Sequence, residues 1–105
     1  MRKGDLVLIS FPFTNLKGAK RRPAVVLLAS EIDIIVCFIT SKFDITSENS
    51  LIIEPHQKNG LKRISAIRVD KIATLDKGLV KGKIGELFIE EISEVNVRLR
   101  KILEL

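Results

Sequence analysis

Tryptophan and tyrosine are missing from this 105-residue chain, and phenylalanine occurs only five times. A platform of interleaved aromatics, on which successive bases of a single strand stack, is therefore poorly supplied. Cysteine occurs once, as Cys37, so no internal disulfide can form. Cys37 lies inside an apolar run, which points to a buried, chemically quiet thiol rather than a nucleophile. One cysteine and one distant histidine, His56, do not make a ligand cluster, so neither a metal site nor another cofactor is expected. His56 follows Pro55 in a polar stretch and reads as an exposed loop residue, not a general base. Long apolar runs are absent too. The longest, Ala24 to Ala29 and Ile34 to Ile39, are six residues each, against the roughly 20 that span a bilayer. Arg2 and Lys3 are followed by Gly4 and Asp5, which does not suit a signal peptide, and a cytoplasmic location is expected. No linker rich in Pro, Gly or Ser and no internal repeat divides the chain, so residues 1–105 read as a single domain.

What the chain does have is aliphatic bulk: 15 Ile, 13 Leu and 8 Val, with 46% hydrophobic residues. A mean hydropathy of +0.21 argues against disorder, although 30% of the residues are charged. A chain of this length buries about 65% of its unfolded surface, enough for one core.

The net charge of +5 is unevenly placed. Residues 1–30 carry six basic side chains and one acidic; residues 31–60 carry two and five; the remainder carry ten and seven. Between Lys62 and Lys83 seven bases stand against only Asp70 and Asp76. Two basic segments thus flank an acidic one. Folded onto one face they would form a footprint for a polyanion; spread out, they would only keep the protein soluble.

Local pattern predicts mostly strands. Asp5 to Phe11 is a first strand stopped by Pro12, and Thr14 to Arg22 is a polar, basic loop centred on Gly18. Pro23 to Ser30 and Ile32 to Thr40, separated by Glu31, are two core strands of a tight hairpin. Ser41 to Ser50 is a second polar loop, followed by short strands at Leu51 to Glu54 and Ile64 to Val69 around a turn at Asn59-Gly60. The period then changes. Phe88, Ile92, Val95, Leu99 and Ile102 recur at helical steps, with acids early and bases late, as the helix dipole favours. Ile89, Val97, Leu103 and Leu105 fall off that stripe and would call for a covering partner. The expected fold is mainly β: five or six short strands in a compact barrel or coiled sheet, with a C-terminal helix.

Four segments together resemble the PemK/MazF family of toxin endoribonucleases from type II toxin–antitoxin pairs: GDLVLISFPFT at Gly4 to Thr14, KRRPAVVLL at Lys20 to Leu28, CFITSK at Cys37 to Lys42, and SAIRVDKIATLDK at Ser65 to Lys77. Their order and spacing agree over essentially the whole chain. The resemblance implies an SH3-like, partly open barrel and metal-independent, sequence-selective cleavage of single-stranded RNA by attack of a ribose 2′-hydroxyl on its neighbouring phosphate. It also implies a homodimer whose cleft is blocked by an antitoxin, often through a disordered acidic segment.

Carried over residue by residue, the family's Arg-Pro arginine falls on Arg22 and its Thr-Ser threonine on Thr40, with Ser41 as a helper. A guanidinium offers a planar fork of donors to the charge that gathers on the non-bridging oxygens of a phosphorane. The Arg-x-Asp pair of some members falls on Arg68 and Asp70; Asp70 would accept the 2′-hydroxyl proton and Arg68 would stabilise charge. Lys20, Arg21, Ser41 and Lys42 are the expected RNA-binding residues. A histidine that certain relatives carry in the first loop has no counterpart between Thr14 and Arg22. The alternative reading is a non-catalytic module on the same barrel that binds nucleic acid or DNA gyrase.

Overall fold

The computed structural model describes residues 1–12, 19–43 and 48–105. Six strands, β1 (Asp5–Pro12), β2 (Ala19–Ala29), β3 (Asp33–Thr40), β4 (Ser50–Ile53), β5 (Ser65–Asp76) and β6 (Val80–Glu86), precede one helix, α1 (Ile89–Leu103). They form one antiparallel sheet in the order β4-β5-β3-β2-β1-β6. This is the mainly β fold expected, and the sheet is an unclosed barrel.

Alternation along the strands sorts the apolar residues onto two faces. On one, Leu6, Val25, Cys37, Ile39, Ile67 and Val69 are buried together with Val95 of α1, while Ile92, Leu99 and Ile102 pack against them. The helical stripe read from the sequence is therefore the packing face of α1, with Phe88 at its N-cap. The other face gathers Val7, Ile9, Ala24, Val26, Ile34 and Val36, with Phe38 packed against them. Cys37 is fully buried, and burial pushes its thiol up to about 12.

The strand reading needs three corrections. Lys20, Arg21 and Arg22 do not sit in the first loop: β2 begins at Ala19, and they pair with Phe11, Ser10 and Ile9. The β1–β2 ladder runs on past the point where polarity suggested a turn, because the faces of this end of β2 are not both buried and polar residues cost nothing there. The central part of that expected loop, like residues 44–47 of the second, lies outside the described residues. β5 continues past Val69 to Asp76, and β6 is a strand that no apolar alternation announced. Its sequence, VKGKIGE, has two glycines and two exposed lysines, and it is strand because it pairs along β1.

The two ends of the sheet are brought together by the turn after β4 rather than by a ladder. Glu86 N donates to Lys58 O at 2.9 Å. A Cβ on Gly85 would stand 2.3 Å from the Asn59 carbonyl, and one on Gly60 (φ +70°) would stand 2.0 Å from the Ile84 oxygen. Only glycines permit this approach. Asn59, fully buried, ties the turn together: its Nδ2 donates to Glu54 O (2.9 Å), and its Oδ1 accepts from Leu61 N (2.9 Å) and His56 N (3.2 Å).

Candidate nucleic-acid interface

The first part of the site lies on the sheet face opposite the helix. In register, Ala24 of β2 faces Phe38 of β3, which faces Arg68 of β5. Two residues further along β2 and β3 come Arg22 and Thr40, the latter opposite Ala66. Cross-strand partners share a face, so Arg22, Phe38, Thr40 and Arg68 all project to the same side. An irregularity in β5 helps aim them. Cys37 pairs with Ile72 but the next residue, Phe38, pairs with Arg68, so residues 69–71 have no partner on β3. Such a bulge bends a strand and redirects its side chains.

Two clefts of about 420 Å³ each open here. Arg22, Ile39, Thr40 and Lys42 line both, and so form the waist of one two-lobed groove. The first lobe adds Phe38, Arg68 and Lys71. The second adds Lys20, Arg21 and Ser41 from β2 and the end of β3, and Leu61, Lys62 and Arg63 from the segment ahead of β5. Among the described residues, eight basic side chains and no acidic one line the groove. The basic segments at the two ends of the sequence thus converge on one surface, the arrangement that concentrates positive potential for a polyanion.

Each side chain has its own constraint. The Thr40 hydroxyl donates to Lys42 O (3.0 Å) and accepts from Lys42 N (3.1 Å), which fixes the bend that carries Ser41 and Lys42. To donate to a ligand it must give up the first of these, a cost of about 1 kcal/mol. Arg68 grips Asp70 bidentately, Nε to Oδ1 and Nη2 to Oδ2, both at 2.9 Å. That hydrogen bonding holds the Asp70 carboxyl below the usual carboxylate range and raises Arg68 above its ordinary value. Asp70 does not line either cleft, and a carboxylate held this way is a weak proton acceptor until the fork opens. Two of the five N–H donors of Arg68 serve Asp70.

Sequence reasoning did not single out Phe38, Lys62, Arg63 or Lys71 as site residues. Lys62, Arg63 and Lys71 did lie in the basic run after residue 60; Phe38 carried no signal beyond being an aromatic residue next to Thr40's strand end. His56 also needs correction, for it is not exposed. Its ring stacks on Phe88 at 3.9 Å, its Nδ1 accepts from Lys58 N and Asn59 N (3.1 and 3.2 Å), and its Nε2 lies 3.0 Å from Glu91 Oε1. Two backbone donors on Nδ1 place the proton on Nε2, which donates to Glu91. The same Glu91 oxygen accepts from Phe88 N at the start of α1 (2.6 Å). The polar composition of residues 55–60 suggested exposure; the close approach of Gly60 and Gly85 pulls the segment onto the helix instead.

Comparison with known proteins places this geometry in context. No curated protein matches the sequence. Among solved structures, the MazE–MazF complex of Deinococcus radiodurans is similar with a TM-score of 0.81 at 21% identity, over 100% of this chain and 96% of that one. The toxin MazF-mt6 of Mycobacterium tuberculosis gives 0.75 at 16% identity, covering 94% of this chain and 97% of the other. An endoribonuclease in complex with its cognate antitoxin from a mycobacterial species gives 0.74 at 17%, covering 100% and 94%. These likenesses establish the fold. The family described as "PemK-like, MazF-like toxin of type II toxin-antitoxin system" matches residues 2–103. With nearly the whole sequence matched, and the Arg-Pro and Thr-Ser elements meeting at the waist of a basic groove, the chain belongs to the PemK-like, MazF-like toxin family.

Proposed function

We propose that this chain is the toxin of a type II toxin–antitoxin module, a single-domain, cytoplasmic, sequence-selective endoribonuclease that cleaves single-stranded RNA without a metal ion. One observation carries the reading: Arg22 and Thr40, from different strands, line the waist shared by both lobes of the groove. A phosphate seated there meets a guanidinium and a hydroxyl together.

In the proposed reaction the ribose 2′-oxygen attacks its own neighbouring phosphorus and the bond to the 5′-oxygen breaks. The 2′-proton leaves to a base and the departing 5′-oxygen gains a proton, giving a 2′,3′-cyclic phosphate and a 5′-hydroxyl. Arg22 stabilises the non-bridging oxygens in the pentacoordinate transition state, and Thr40 adds a neutral hydrogen bond once its bond to Lys42 O is exchanged. Ser41 assists. Arg68 supplies a second positive charge from the first lobe, and Asp70 holds that guanidinium in place. Lys20, Arg21, Ser41 and Lys42 bind the RNA around the scissile phosphate.

The partners follow from the same surfaces. A groove lined by eight bases suits an acidic antitoxin segment, and the similar structures from D. radiodurans and the mycobacterial species contain toxin–antitoxin pairs. Ile89, Val97, Leu103 and Leu105, all exposed on or after α1, give a homodimer or an antitoxin apolar area to cover. The decisive experiment incubates the purified protein with a long RNA in EDTA and maps both new ends. Cyclic-phosphate and 5′-hydroxyl ends at a recurring motif are expected, and intact RNA overturns the reading. A second reading, nucleic-acid or gyrase binding without cleavage, is favoured by the engagement of both the Thr40 hydroxyl and the Asp70 carboxylate in local bonds. Salt-sensitive binding with no cut RNA is its signature.

A further inference from the structure

The two lobes are chemically unlike, and that difference is informative. In the first, a half-buried phenylalanine, Phe38, is flanked by Arg68 and Lys71. An aromatic ring edged by a guanidinium is the surface on which an unstacked base settles. Among the described residues, its polar side chains from Arg22, Lys42, Arg68 and Lys71 are donors only, and the Thr40 hydroxyl is engaged with Lys42. Donors alone match a base edge that presents carbonyl oxygens, as guanine and uracil do, and mismatch the amino edge of adenine.

Among the described residues, the second lobe has no aromatic lining side chain, and it gathers cations from two segments, Lys20 and Arg21 of β2 and Lys62 and Arg63 ahead of β5. The wall carrying Lys62 and Arg63 is held firmly. Leu61, just before it, packs into the core beneath α1, and its amide is fixed by the buried Asn59 side chain at 2.9 Å. Just after it, Ser65 Oγ donates to Arg63 O at 3.0 Å. Cations on a wall so held are preorganised for a strand's phosphates.

Resting on the ribonuclease reading, we infer that the groove divides its labour about the waist. The Phe38 lobe takes a keto base, guanine or uracil, from one nucleotide beside the scissile phosphate, and Lys62 and Arg63 clamp the phosphates of the strand on the other side. The first lobe sets sequence preference; the second sets affinity.

The test uses the full-length protein and two fluorescent RNA decamers, oligo(U) and oligo(A), 2′-O-methylated so that neither can be cut. Anisotropy is recorded over a salt series, and thermal melting verifies that each variant is folded. Wild type is expected to prefer oligo(U) by about tenfold, the scale of a good base contact. Lys62→Ala with Arg63→Ala is expected to weaken both oligomers alike and to lower the salt slope by about 1.4, given ~0.7 per phosphate contact on a single strand. Phe38→Leu keeps an apolar side chain against the core; it is expected to erase the oligo(U) preference and leave the slope unchanged. An unchanged slope in the double variant overturns the clamp. A wild type without base preference, or a Phe38→Leu protein that retains it, overturns the base lobe. Because the readout is binding, absence of cleavage in the EDTA experiment overturns the nuclease reading separately and leaves these results interpretable.

Discussion

Arg22, on a strand laddered to β1, is the residue on which the proposed chemistry turns. Its backbone is held opposite Ile9, and its side chain lines both lobes. Arg22→Ala is expected to reduce the cleavage rate by at least about 10²- to 10³-fold, the scale of losing one transition-state donor. Arg22→Lys recovers little of it, because an ammonium cannot reproduce the planar fork. Single-turnover cleavage of a defined RNA, with melting curves in parallel, checks both. Asp70 belongs to this scale too. Its folded-state value lies below the unfolded one, so the stability it contributes is complete above about pH 4 and is lost as pH falls through the lowered value. The pair is about one-third exposed, which limits that contribution to below ~1 kcal/mol. Urea unfolding at pH 6 and pH 3 should show Asp70→Asn more destabilised at the higher pH. Cys37 was legible as inert from its setting in an apolar run. With its thiol raised to about 12 by burial, alkylation at pH 8 is expected to proceed only as fast as the protein unfolds.

Among elements, those that bury a periodic face could be read in advance. β3 and α1 are examples: the first is a run of apolar and β-branched residues, and the second repeats Ile92, Val95, Leu99 and Ile102 against the core. β6 and the extension of β5 beyond Val69 could not be, because their strand character comes from pairing with distant residues, not from their own side chains. The groove was half legible. Arg22, Thr40 and Arg68 carried motif signals, whereas Phe38 and the Lys62–Arg63 wall enter it through the β5 irregularity and the Asn59 turn, which depend on contacts far apart in sequence. That turn invites a stability measurement. Asn59→Ala leaves Glu54 O and the amides of His56 and Leu61 without their side-chain partner and is expected to cost about 2–4 kcal/mol. Gly85→Ala drives a methyl into the Asn59 backbone, and a comparable loss is expected in chemical denaturation.

At the scale of the molecule, the sheet keeps its two faces for different purposes: α1 seals one, and the other runs from a buried aliphatic cluster out to the Phe38 lobe of the basic groove. Composition foretold a polyanion surface only conditionally, since the sum of +5 does not say where the charges sit; the fold brings eight of them together. Sedimentation is expected to return a mass near twice 11.8 kDa, with apolar side chains such as Val97 covered in the dimer. The seam between the sheet's ends has a further consequence. It rests on one backbone bond from Glu86 to Lys58 and a glycine contact, not on a ladder, so the barrel is weakest where residues 58 and 86 meet. In deuterated solvent the Glu86 amide should lose its proton well before those of the central β2–β3 pair, so that the barrel opens first along its 58–86 edge while the interior stays folded.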